Sequence, residues 1–330
     1  MSRRPSPRRS GRPLLPTAVV AALAVVGGVG YAAVTGSAPG SAAEPVASAA
    51  VRTAPAPGTT ATAAAPRGAR PLTATVTPSN RAVVGVGMPV IVRFGTTITP
   101  AQRPAIQRAL ALTSTPAVVG SWSWTGAREV HYRPMRYWPA HTSVTVRLAL
   151  DHVRASTTTD WRFRNRTLTF TTGDAVISRI DITAHRMVVQ RNGRTVMSIP
   201  ITAGKPGFVT RSGTKVVMEK YRTKIMDAAT TGTPRGSSNY YRIKVQYAMR
   251  VTNSGEFLHA APWSVASQGR ANVSHGCVGM STANAARLYA MSRIGDPVVV
   301  TGTTRGIEPG NGWTDWNRSW ARWKAGSAVA

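Results

Sequence analysis

Carboxylates are scarce in this chain. Its 330 residues carry 12 Asp and Glu against 41 Lys and Arg, a formal net charge of +29. From Ala228 to Gly295 the only acid is Glu256, which argues against a glycosidase, since that chemistry sets two carboxylates across a cleft. Cysteine is scarcer still. Cys277 is the only one, so no disulfide closes within the chain, and the thiol is either an inert buried group or a reactive one. A zinc hydrolase would have to use His259, His275 and Cys277, whose separations match no common ligand spacing. So basic a chain should associate with polyanions. Zinc-finger spacing, RNP-like motifs and basic heptads are absent, and the Arg residues are scattered rather than striped, so nucleic acid is not the expected partner. No cofactor and no metal is expected.

Long apolar runs are lacking too, with one exception. Arg3, Arg4, Arg8, Arg9 and Arg12 precede an uncharged stretch from Pro13 to Ala43, almost wholly apolar from Ala18 to Val34. Residues 1–43 therefore read as a secretory signal peptide, with Ser41-Ala42-Ala43 suiting cleavage, or as an uncleaved membrane anchor. Either places the chain outside the cytoplasm, at the cell wall or the outer side of the plasma membrane. Its expected polyanions are then anionic wall polymers. Residues 44–70 are Ala, Pro and Thr-rich with few large apolar side chains, a flexible linker.

From 71 to 173 short β-like runs alternate with turn residues. In Ser143–Leu150, Val144, Val146 and Leu148 alternate with Thr145 and Arg147, the period of a half-buried strand. About 100 such residues suggest an immunoglobulin-like β-sandwich, with one or two helical turns in Pro100–Leu112 and Trp122 and Trp124 in its core. From 174 to 303 strands recur around an Asn192-Gly193 hairpin turn. Ser281 or Thr282 should cap a helix running to Ile294 and stopping at Gly295. Asp227–Tyr240 is small and polar, fit for a lid over a cleft. In 304–330, Trp313, Trp316, Trp320 and Trp323 are spaced 3, 4 and 3, predicting one helix face packed on the domains.

Cys277 follows His275 and Gly276, and His259 stands 18 positions upstream. A thiol attacks as its thiolate, and an imidazole can take its proton. Gly276 permits the tight turn that brings amide N–H groups toward a reacting carbonyl. Phe257-Leu258-His259-Ala260-Ala261-Pro262-Trp263-Ser264 followed by Ser274-His275-Gly276-Cys277 resembles the catalytic motif of the L,D-transpeptidases. The resemblance implies a mainly β protein, the sandwich being followed by a β-rich catalytic domain with one helix after the nucleophile loop. It implies Cys277 as nucleophile, His259 as base and His275 beside them, with backbone groups of Gly276 and Cys277 forming the oxyanion site and the Ala260 carbonyl orienting His259. Met226, Tyr241, Trp263 and Ser274 would contact the substrate. The implied reaction releases D-Ala from a tetrapeptide donor through a thioester and forms 3→3 peptidoglycan cross-links, stem peptides serving as donor and acceptor. A non-catalytic wall-binding protein and hydrolysis at the same site are the alternatives. Relatives usually carry Asn or Arg where Gly279 stands, so Gly279→Asn is expected to restore a missing contact, unless Gly279 needs a positive φ.

Overall fold

The structure is a computed structural model describing residues 73–151, 153 and 164–329. The expected signal or anchor and the linker lie outside these residues. Among the described residues no helix is long and apolar enough to cross a membrane.

The first half comprises β1 (Ala74–Thr77), β2 (Val83–Val84), β3 (Val90–Phe94), α1 (Arg103–Arg108), β4 (Leu110–Thr115), β5 (Gly120–Trp124), β6 (Glu129–Pro134), β7 (Ser143–Leu148) and β8 (Arg166–Thr172). They form two four-stranded sheets, ordered β1-β3-β6-β5 and β2-β8-β7-β4. Val144, Val146 and Leu148 of β7 are fully buried while Arg147 is exposed, as the alternation required. Both sheets face one core. In it Trp122 meets Tyr132 edge-on (5.3 Å), Tyr132 stacks on Trp138 (6.0 Å), and Trp138 meets Phe170 edge-on (6.1 Å). Trp122 and Trp124 are both buried. This is the expected sandwich.

The second half is also mostly strand: β9 (Val176–Asp181), β10 (Arg186–Arg191), β11 (Arg194–Pro200), β12 (Gly213–Val216), β13 (Glu219–Asp227), β14 (Arg242–Arg250), β15 (Phe257–Ala260), β16 (Val278–Met280) and β17 (Pro297–Thr301). One sheet runs β11-β10-β9-β17-β12 and the other β13-β14-β15-β16. Asn192 and Gly193 turn β10 into β11 with φ of 49° and 80°, the left-handed pair that a type I′ turn needs. Helix α2 (Thr282–Met291) packs on β14 and β15, and Ala285 and Leu288 enter the core shared by the two sheets.

Two expectations need correction. Helix α2 stops at Met291, not Ile294, because Ser292 is already extended (ψ 150°) and the Arg293 N–H that would continue the ladder donates instead to Asp296 Oδ2 at 2.7 Å. Gly85 and Gly87 of the sandwich donate to the carbonyls of Ile294 and Gly295, both at 2.8 Å. The Trp-rich tail is not one helix. Gly310 and Gly312 take φ of 80° and 102°, Asp315–Asn317 is a 3₁₀ turn, and Ser319 caps a separate short helix, α3 (Trp320–Lys324). The spacing nevertheless grouped the right indoles, and what gathers three of them is a cation. The Arg133 guanidinium lies 4.8 Å from Trp316, 5.4 Å from Trp320 and 4.8 Å from Trp323, a favourable contact with aromatic faces. Trp316 Nε1 donates to Gly87 (2.7 Å) and Trp323 Nε1 to Ser121 (2.9 Å), while Asn317 bonds both backbone groups of Thr214 on β12 at 2.7 Å.

Candidate active site

Strands β15 and β16 pair in parallel, with His259 opposite Gly279 and Ala260 opposite Met280. Cys277 stands just before β16, so this register carries the thiol and the imidazole, 18 residues apart in sequence, to one end of one sheet. Both line a cavity of about 340 Å³. Met226, Tyr241, Trp263, Ser274 and His275 line it too.

The loop before Cys277 is held at several points. Gly276 takes φ of 117°, which only glycine adopts cheaply. Its carbonyl accepts from Thr210 Oγ1 (2.9 Å) and its N–H donates to Ser274 Oγ (3.1 Å). Ser274 Oγ in turn donates to the carbonyl of Cys277 (2.6 Å). The Ser274 hydroxyl is thus spent on the loop, and the Gly276 N–H would reach an oxyanion only by releasing it.

His259 is buried, and burial lowers its pKa below the usual 6.5, with the Ala260 carbonyl opposing. That carbonyl lies 2.8 Å from Nδ1. A carbonyl only accepts, so Nδ1 carries the proton and Nε2 keeps a lone pair. The Trp263 ring stacks on the imidazole at 6.0 Å and is itself 55% exposed at the cavity mouth. Burial raises Cys277 to about 11; the Phe257 amide opposes this, Glu256 adds to it, and Lys215 and Arg250 oppose it. The thiol donates to the carbonyl of Gly255 at 3.7 Å. At neutral pH the resting pair is therefore thiol and neutral imidazole, suited to general-base deprotonation at the moment of attack. His275 packs between Phe208 (4.6 Å) and Tyr241 (5.0 Å). Burial and the nearby Lys205 lower its pKa, and its Nε2 has no hydrogen-bond partner. The Tyr241 phenol is pushed up to about 12 by burial and by Cys277.

The chain matches bacterial Ig domains over residues 45–154 and the L,D-transpeptidase catalytic domain over 175–300. It is 41% identical over 232 residues to L,D-transpeptidase 1 of Mycobacterium tuberculosis, which spans 70% of this chain and 86% of that protein. The chain belongs to the L,D-transpeptidase family. L,D-transpeptidase 2 of the same organism is 39% identical over 259 residues, covering 77% of this transpeptidase and 62% of that one. Among solved structures, LD transpeptidase LdtMt1 in complex with imipenem is 40% identical, with a TM-score of 0.61 over 70% of this chain and 99% of that chain. An L,D-transpeptidase from Mycobacterium smegmatis is 36% identical, with a TM-score of 0.57 over 71% and 100%.

Two features of this L,D-transpeptidase's site escaped sequence reasoning. Gly279 is extended within β16, so no positive φ demands glycine there. Its N–H and carbonyl bond to Thr202 (2.8 and 3.0 Å), and an added Cβ would meet Ala261 Cβ at 2.9 Å and Thr202 Cγ2 at 3.1 Å. Crowding, not backbone strain, is what glycine relieves. The second is a buried charged cluster behind the loop. Glu256 accepts from the Arg211 backbone and side chain, both at 3.0 Å, and from Lys215 Nζ. A lone acid in an apolar segment was the available signal, but its partners lie 45 and 41 residues away.

Proposed function

We propose that this L,D-transpeptidase acts on peptidoglycan stem peptides through Cys277, with His259 as base. His259 Nε2 takes the thiol proton as sulfur attacks the carbonyl at the L-centre of a diamino acid, ahead of the terminal D-Ala. The proton passes to the departing D-Ala amine, leaving a thioester. A side-chain amine of a second stem peptide then attacks, loses a proton to His259 and restores the thiol, giving a 3→3 cross-link. The Cys277 N–H, joined by that of Gly276 once Ser274 yields it, would hold the oxyanion, with His275 beside them. One lost donor of this kind typically costs about 3 kcal/mol of barrier. Tyr241 and Met226 would wall the donor side and Trp263 the mouth. The observation that carries this reading is the tautomer imposed on His259 by Ala260 (2.8 Å) in a cavity shared with Cys277.

The loop between β13 and β14 would cover the donor. Asp227 caps a 3₁₀ turn, Ala228–Thr231, and Ala228 N–H bonds to the Tyr241 carbonyl (3.0 Å) at the loop's neck. Residues 1–43 would export or tether the enzyme, 44–70 would act as spacer, and the sandwich (71–173) with the tail (304–330) would hold the catalytic domain (174–303) in the wall. The excess of basic residues fits anionic polymers there. Incubation with imipenem followed by intact-mass measurement tests the nucleophile. One adduct per chain, absent from Cys277→Ser, is expected, whereas an adduct surviving that substitution would refute it. Release of D-Ala from a tetrapeptide without cross-linked product would assign the site to hydrolysis.

A further inference from the structure

Behind the nucleophile loop, on the side away from the cavity, lies a charged pair that the reaction as written does not use. The side chain of Lys215, on β12, is 1% exposed, and that of Glu256, just ahead of β15, is 5% exposed. Two opposite charges withdrawn from water cost several kcal/mol each before their attraction is counted. Such a pair is weak evidence for stability, so its position is what matters. A Cβ built on Gly276 would lie 3.8 Å from Glu256 Cγ and 3.9 Å from Oε1, so the carboxylate rests against the residue preceding Cys277. The residue before Glu256, Gly255, supplies the carbonyl to which the thiol donates. Lys215 Nζ is bound to the far carboxylate oxygen, Oε2, while Oε1 receives Arg211.

We infer that Glu256 and Lys215 are positioning residues that set the ionisation of Cys277, the carboxylate restraining the thiolate and the ammonium limiting that restraint. This rests on Cys277 being the nucleophile. The other charged and titratable groups around the thiol are Arg250 on β14, with Tyr241, His259 and His275 on the cavity side. Among these neighbours Glu256 is the single carboxylate, and its removal should act in one direction only. A fixed negative charge raises a thiol's pKa and a positive one lowers it. The restraint keeps the thiol protonated at rest, when it has no substrate to attack, and leaves deprotonation to His259.

Because the chain has one cysteine, the rate of iodoacetamide alkylation, followed by mass at each pH from 6.5 to 9, where it tracks the thiolate fraction, reads this one group in the full-length protein. Glu256→Gln keeps the shape of the side chain and removes its charge. It should raise that rate, by about tenfold at pH 7.5, one unit of pKa being tenfold in thiolate. Lys215→Met should move it the other way, and the double variant should fall between the two. A purely structural pair would either loosen the loop in both variants, changing both rates in one direction, or leave both rates in place. Either outcome overturns the inference. Should Lys215→Met not fold, the Glu256→Gln rate decides alone, an unchanged or lowered value overturning it. The readout needs no peptide substrate, so it stands apart from the imipenem and cross-linking tests, whose failure would instead remove the role of Cys277.

Discussion

At the residue scale the two groups of the proposed mechanism should act as one unit. Cys277→Ser should lower cross-linking by roughly 10³-fold or more and leave the melting temperature nearly unchanged, serine being similar in size but lacking an accessible anion. His259→Ala should approach that loss, and the double variant should lose little more. Steady-state assays on a tetrapeptide donor check both. Burial holds His259 below 6.5, so kcat/KM should rise with pH through a midpoint under 6.5, the free enzyme's base being neutral above it. Gly279 leads to a different expectation from the one its absent side chain suggested. With Ala261 Cβ 2.9 Å from any new Cβ, Gly279→Asn should slow acylation and lower the melting temperature, and Ala261→Gly added to it should restore part of both. Faster single-turnover acylation in Gly279→Asn alone would restore the missing-contact account. His259, His275 and Cys277 were legible because their motif is written in contiguous words. Lys215 and Glu256 were not, since 41 residues separate them and a Lys in a short strand reads as solvent-facing until its burial is known.

At the scale of elements, alternation and turn chemistry located most strands, and the Asn192-Gly193 hairpin followed from two residues that tolerate left-handed φ. Strands β15 and β16 were harder to see. They are four and three residues long, every position is buried, and no alternation survives in a strand covered on both faces. They are also the strands that bring His259 and Cys277 together. Helix α2 was legible at its start, where Ser281 Oγ accepts from the Asn284 N–H at 3.3 Å. It was not legible at its end, where Ser292 turns extended and the Asp296 carboxylate takes the Arg293 N–H. Ser281→Ala should cost about 1 kcal/mol, which for a unit of this size is roughly 2–4 °C in melting temperature. Helix α2 packs against β15 without entering the cavity, so kcat should stay within about twofold. A severe loss of kcat at unchanged stability would mean that the cap positions the loop directly.

At the scale of the whole molecule, two buried titratable groups sit where separate segments meet, and they divide the pH range between them. His131 on β6 bonds Asp315 of the tail at 2.8 Å and Glu129 at 3.3 Å. Burial opposes the charged ring, but the Asp315 and Glu129 carboxylates prevail and hold it up at about 9. A pKa raised above the unfolded 6.5 adds stability that is complete below 6.5 and lost as pH climbs through about 9. Asp296 lies beside Gly85, with Oδ1 buried and unpartnered. Burial raises it from 3.8 to about 7, against the Arg293 amide and the charges of Arg293 and Lys220. For this carboxyl the folded state favours the protonated form, so stability falls as pH rises from about 4 to about 7 and then stays level. His259 and His275, both lowered, work in the opposite sense below 6.5, so each variant is compared with the parent at the same pH. Asp296→Asn should gain on the parent between pH 4 and 7 and hold a constant advantage above. His131→Gln should be destabilised at pH 6, by something on the order of 3 kcal/mol at 1.36 kcal/mol per unit, and should converge on the parent by about pH 9.5. Thermal melts at half-unit intervals separate the two windows. A His131→Gln deficit that persisted undiminished at pH 9.5 would mean that the ring braces the tail by its shape, and that the charge on it does nothing to hold the sandwich and tail together.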